Sequence, residues 1–266
     1  MIKFWFVKNF CDSWDNLFFI IISNVFTIVA ATAMYFVLTQ SGDVNSYLPN
    51  IAFIVCAGFF MVVTFAWGVN AEKIAEFNTP SFAVFFKSLK TVFLTAFCFG
   101  ALLAIFILAG VNGIRYYLAF FASGNIIGIL FTAVIAWFML VVFIAMQWFV
   151  PLYFLQDENT FLKCLRKSFI IFFDNAAFSI LLFVYNLILF AFTIISFGLI
   201  PGINGITLSS TNALRIRLYK YDWLEENPEY MDDREKRSQI PWDELIAEDK
   251  ETLGPRNLAS FLFPWR

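Results

Sequence analysis

Histidine does not occur anywhere in the 266 residues. Its absence removes the commonest general base, the commonest zinc ligand and the catalytic triads built on imidazole. No Walker-type phosphate loop is present, and no glycine-rich fingerprint follows a plausible strand, so nothing marks a nucleotide site. The cysteines Cys11, Cys56, Cys98 and Cys164 lie 45, 42 and 66 residues apart and form no CxxC pair. They read as packing thiols, because a buried cysteine behaves as a small hydrophobe. Charge is scarce as well: Asp, Glu, Lys and Arg make up 14% of the chain, against about 25% in an ordinary globular domain.

What remains is apolar. Hydrophobic residues account for 61% of the sequence and mean hydropathy is +0.75, which excludes a soluble core and makes lipid the natural solvent. Segments 17–38, 51–69, 92–110, 126–150 and 176–195 contain no Lys, Arg, Asp or Glu. Each approaches the roughly 20 apolar residues that cross a hydrocarbon core about 30 Å thick. Ala31-Thr32-Ala33 has the small-x-small form of a signal-peptide cleavage site, but the apolar run continues through Leu38 and Asp12 and Asp15 precede it. It reads as a first span. The 37 phenylalanines occur in every apolar segment without a common spacing, so they read as lipid-facing filler rather than an aromatic ligand box.

Five spans violate the positive-inside rule, under which Lys and Arg in short loops mark the cytoplasmic side. Lys3 and Lys8 precede span one, Lys73, Lys87 and Lys90 follow span two, and Lys163, Arg166 and Lys167 follow span four. Between these basic loops lie one with no basic residue and one with only Arg115. Arg215, Arg217 and Lys220 after span five would then fall outside. A sixth span over 197–218 removes the conflict. It begins with Pro201 and three glycines, whose freed backbone groups must find partners in neighbouring helices. Thr207, Ser209, Ser210, Thr211 and Asn212 would face the bundle interior, bonding to other helices. The alternative is an interfacial helix after a five-span core.

The expectation is therefore an all-α, six-helix membrane bundle over 1–219 with short cytoplasmic amphipathic helices, followed by an acidic cytoplasmic tail over 220–266. Pro80 to Lys90 and Thr160 to Phe169 place aromatic and basic residues on opposite faces, as surface helices do. They anchor topology at anionic headgroups or dock a cytoplasmic partner. Asp174 is placed to cap the helix of span five. Net charge is +3 over 1–219 and −5 over 220–266, so the tail suits neither nucleic acid nor anionic lipid. A short helix is predicted over 241–253. Beyond it Leu258, Phe261, Leu262, Phe263 and Trp265 form an apolar group expected to dock on the bundle or a partner. Gly124 and Gly128 form a GxxxG that reads as bundle packing or a homodimer contact.

This layout resembles the YesL-like family of bacterial integral membrane proteins over about residues 4–220. The likeness rests on FFIIISNVF at 18–26, the Pro80 to Lys90 segment, Pro151, FLKCLRKSF at 161–169 and the Pro201-Gly202 turn before a final helix with a basic end. It implies an inner-membrane protein linked to carbohydrate-uptake systems of the ATP-binding-cassette type. Residues and resemblance together point to a non-enzymatic accessory or assembly component of a membrane complex, with no cofactor and no metal. The alternative is a permease or channel for a neutral or lipid-like solute. The loop charges predict both termini in the cytoplasm. A reporter that fluoresces only there, fused to Arg266, should be bright, and single cysteines near Asp43 and Arg115 should label from outside; a dark fusion or inside labelling at Asp43 rejects six spans.

Overall fold

The computed structural model describes residues 1–41, 47–156, 160–230 and 240–256. Among them the chain is helical throughout, with no strand. Helix α1 (Ile2–Asp15) precedes the first long apolar helix, α2 (Leu17–Ser41). Then come α3 (Leu48–Ala75), α4 (Phe82–Ala122), α5 (Ile127–Met146) and the short α6 (Phe149–Leu155). Helices α7 (Phe161–Asp174), α8 (Ala176–Ile195) and α9 (Gly202–Glu226) follow, and α10 (Trp242–Leu245) and α11 (Ala247–Leu253) end the described chain.

Five stretches are long and apolar enough to cross a membrane: α2, α3, α4, the α5–α6 pair and α8. Their outward residues are large and greasy, among them Phe18, Val29, Leu94, Trp137, Phe138 and Ile195, all exposed. In water such a surface would aggregate; in hydrocarbon it costs nothing. The interior is where the polar groups are. Ser23, Asn24, Thr27, Thr64, Asn70, Ser179 and Asn186 are buried within these same helices. Because lipid tails are as apolar as leucine, association must come from close packing and interhelical hydrogen bonds. Gly100 permits a close approach of α4 to α3, since a methyl group there would strike the Ala57 carbonyl. Not every phenylalanine is filler: Phe65 meets Phe99, Phe149, Tyr153 and Phe154, and Phe99 stacks on Phe149 with ring centroids 4.0 Å apart.

Several boundaries differ from the sequence expectation, each for a local reason. The surface helix expected over 80–90 is continuous with span three, giving a 41-residue α4; no glycine or proline interrupts 82–99. Span four is broken at Gln147 and Trp148, between α5 and α6. Pro151 has no N–H to bond the Gln147 carbonyl and its ring crowds that position. Gly124 has φ +96° in the turn before α5, whereas Gly128 packs against the α4 backbone at Tyr117 and Phe121. The GxxxG pair is therefore a turn residue plus a packing residue within one chain. The helix expected over 241–253 is two short helices bent at Ile246, which turns inward with Leu253 to join the core. Leu258, Phe261, Leu262, Phe263 and Trp265 lie outside the described residues.

Helix α1 is amphipathic. Ile2, Phe6, Phe10 and Trp14 recur every four residues and are exposed, while Trp5, Lys8, Asn9, Cys11 and Asp12 are buried. Lys8 donates to Asp12 at 3.0 Å, and its Nζ sits 3.5 Å from the centre of the Phe77 ring. Burial pushes the Lys8 pKa down and the Asp12 pKa up, and each charge opposes the shift of the other. Removing one member of such a pair strands the other in a low-dielectric site, typically at a cost of about 3 to 5 kcal/mol, whereas an apolar replacement of both can be nearly neutral. Lys8→Met should therefore lower the unfolding midpoint in detergent sharply, and Lys8→Met/Asp12→Leu should recover most of the loss. Equal midpoints for the single and double variants would contradict this account.

Candidate functional site

The most polar of the long helices lies at the centre. α9 packs on α1, α2, α3, α6 and α8, and residues 207–214 are buried without interruption. Its first turn needs partners, because the leading N–H groups of a helix have none of their own. Asn24 of α2 supplies one. Its Oδ1 accepts from the Asn204 N–H at 3.2 Å, while its Nδ2 donates to the carbonyls of Leu199 and Pro201 at 2.9 and 2.7 Å. Gly202, with φ +69°, is required at this point, since a side chain would collide with the Asn24 amide. Two indoles hold the helix further down: Trp67 Nε1 donates to the Asn204 carbonyl at 3.0 Å and Trp5 Nε1 to the Ser209 carbonyl at 3.3 Å.

All five polar residues singled out on this helix are buried, but they are satisfied differently from one another. Ser210 accepts from Asn186 of α8, and Asn212 donates to Asn9 of α1, which in turn donates to the Tyr185 hydroxyl. Thr207 and Thr211 instead donate to carbonyls one turn back in α9 itself. This corrects the expectation of interhelical bonds for them, because a threonine hydroxyl reaches its own i−4 carbonyl more cheaply than a neighbour. Ser209 Oγ makes no hydrogen bond.

Asp174 is not at the cap position of α8. That position is held by Asn175, without a side-chain cap bond, and Asp174 accepts from Lys220 Nζ at 2.6 Å and from the Tyr221 hydroxyl at 2.9 Å. A lysine offers the carboxylate more than exposed amides can. Burial, with Asp174 adding to it, drives the Tyr221 pKa upward. The tail closes over the same end of α9. Asp249 receives Arg215 at 2.7 Å and the Tyr219 hydroxyl at 3.2 Å, and Arg217 lies between the rings of Phe178 and Trp242. Arg256 pairs with Asp15. On α7 burial raises the Cys164 thiol to about 11, so it packs rather than reacts.

Between α3, α4, α5, α6, α8 and α9 lies a cavity of about 750 Å³, within the range of roughly 300 to 1,000 Å³ typical of small-molecule sites. Its wall is mostly aromatic and aliphatic and holds no Lys, Arg, Asp or Glu. Polar groups come from Thr64, Gln147, Asn186, Thr207 and Ser210. Leu187 and Phe190, which also form part of the wall, are 51% and 45% exposed on the apolar flank of the bundle. Protein-family models, curated proteins and solved structures give no match to this chain. The cavity must be read from its own chemistry.

Of the residues around it, the sequence pattern marks Thr207 and Ser210 as bundle-interior groups but not Gln147 and Asn186, nor Asn24 at the head of α9. A usable signal was present: each is an amide inside an otherwise apolar span, where an unpaired amide is expensive. Replacing Asn24 with Ala should strand the Asn204 N–H and free the start of α9, costing about 1 to 3 kcal/mol. Thermal unfolding in detergent should show the loss, together with faster hydrogen exchange at 202–205; unchanged exchange there would mean that α9 is held without its cap.

Proposed function

We propose that this chain is a non-enzymatic six-span protein of the cytoplasmic (inner) membrane that takes a neutral, lipid-like solute from the bilayer into the lateral cavity. The carrying observation is the cavity itself: apolar, free of charge, opening between membrane-facing helices, and furnished with a few converging polar groups. Such a site suits a molecule already dissolved in hydrocarbon, because nothing in it would compensate a charge. The sixth span is α9. Its capped first turn and buried middle fit a helix surrounded by other spans, with the chain from 197 completing the crossing. With six spans the basic loops fall on one side, together with both termini.

A second reading, an accessory or assembly component of a membrane complex linked to solute uptake, draws on α7. There Leu162, Ile170 and Phe173 stand exposed beside the exposed Lys163 and Arg166, a surface suited to a partner protein or to headgroups. The layout resemblance to the YesL-like family belongs to this reading. Proteoliposomes containing only this protein separate the two. Transbilayer movement of a fluorescent monoacylglycerol should rise several-fold over empty liposomes and fall when Ser210→Phe fills the cavity. Movement at the empty-liposome rate, with a stoichiometric partner co-purifying in mild detergent, would favour the accessory role instead.

A further inference from the structure

We propose that the polar wall of the cavity is a socket for one hydrogen-bond-donating neutral group, a hydroxyl or an amide N–H, at the end of a single-chain amphipathic molecule. This deepens the lateral-uptake reading and rests on it. The orientation of the Asn186 amide is set by a chain of bonds that starts at a group able only to accept. The Ser179 carbonyl receives Gln147 Nε2 at 2.8 Å, which leaves Gln147 Oε1 facing Asn186. Asn186 Nδ2 then donates to Gln147 Oε1 at 3.4 Å and to Ser210 Oγ at 3.0 Å. Both of its protons are used. Asn186 Oδ1 is left buried and without a partner, on a residue that lines the cavity and is only 8% exposed.

Two of the three neighbouring hydroxyls have the same bias; the third, Ser210, accepts from Asn186. Thr64 donates to the Phe60 carbonyl at 3.1 Å and Thr207 to the Ile203 carbonyl at 3.0 Å, so each turns its remaining lone pairs, not its proton, toward a ligand. Buried amide oxygens in native proteins nearly always have a partner, and hydrocarbon supplies none. A ligand that brings a donor completes the network. An anion would meet the Asn186, Thr64 and Thr207 oxygens and no cation, and a cation would meet no carboxylate; the same wall disfavours both.

The test uses the full chain in nanodiscs and three photoreactive probes of equal chain length: dodecanol, its methyl ether and dodecanoic acid, each with a terminal diazirine. Dodecanol should crosslink to peptides covering 60–64, 143–151, 183–190 and 203–210. The ether, which can accept but not donate, should bind about fivefold to tenfold more weakly, the usual loss for one missing hydrogen bond, and the carboxylate more weakly than the alcohol. Asn186→Leu should erase the difference between alcohol and ether. Should that variant fail to fold, the comparison on the unaltered protein still decides. Equal binding of alcohol and ether, or tighter binding of the acid, overturns the donor socket while leaving a lipid-binding cavity. If no probe labels those peptides, the uptake reading falls and the socket falls with it.

Discussion

A hydrocarbon solvent offers no hydrogen-bond partners, and that constraint organises the molecule. Helix α9 is too polar to meet lipid, so it must be wrapped, and four of the elements that wrap it contribute a group it needs. Asn24 closes its first turn, Trp67 and Trp5 bond its carbonyls, and Asn9 and Asn186 meet its side chains. The apolar helices are then free to be greasy on their outer faces. The arrangement inverts a soluble protein: the hydrophobic effect does not hold these helices together, whereas shape, small residues and a modest number of interior hydrogen bonds do.

The charged end of the bundle follows a second rule. Three ion pairs gather where α1, α7, α9 and the tail meet: Lys8 with Asp12, Lys220 with Asp174, Arg215 with Asp249. Arg217, without a carboxylate, lies over aromatic faces instead, which attract a cation through their quadrupole. The acidic tail is therefore a complement to the basic end of α9 as well as a solvated extension. Its bend at Ile246 brings an apolar side chain to the same surface as the Asp249 carboxylate.

Hydropathy made the five apolar helices legible, because an uncharged run of that length has few other uses. Their exact ends were less legible. A continuous helical propensity carried α4 back through a segment whose amphipathic pattern suggested a separate element, and Pro151 interrupted span four inside an uninterrupted apolar run. The interior role of residues 207–212 could be argued from polarity, but which hydroxyls bond across helices and which bond within α9 depends on distances that no pattern encodes. Asp174 looked like a cap because it precedes a helix; its true partners, Lys220 and Tyr221, are 46 and 47 residues away. The cavity was invisible for a related reason. Its wall draws on six helices, and the amides that give it character are single residues in long apolar runs.

The length of α4 carries a consequence for the membrane around it. Lys90 and Arg115 bracket its uncharged stretch, and at 1.5 Å per residue they stand about 37 Å apart, several ångströms more than an average hydrocarbon core. A bilayer can thicken by that margin before either charge is drawn toward the acyl chains, whereas in a thinner one the helix must tilt. Mismatch penalties of fractions of a kcal/mol per ångström would thus stay small for α4 as the bilayer thickens toward that span, whereas α8, with 20 residues, has no such margin.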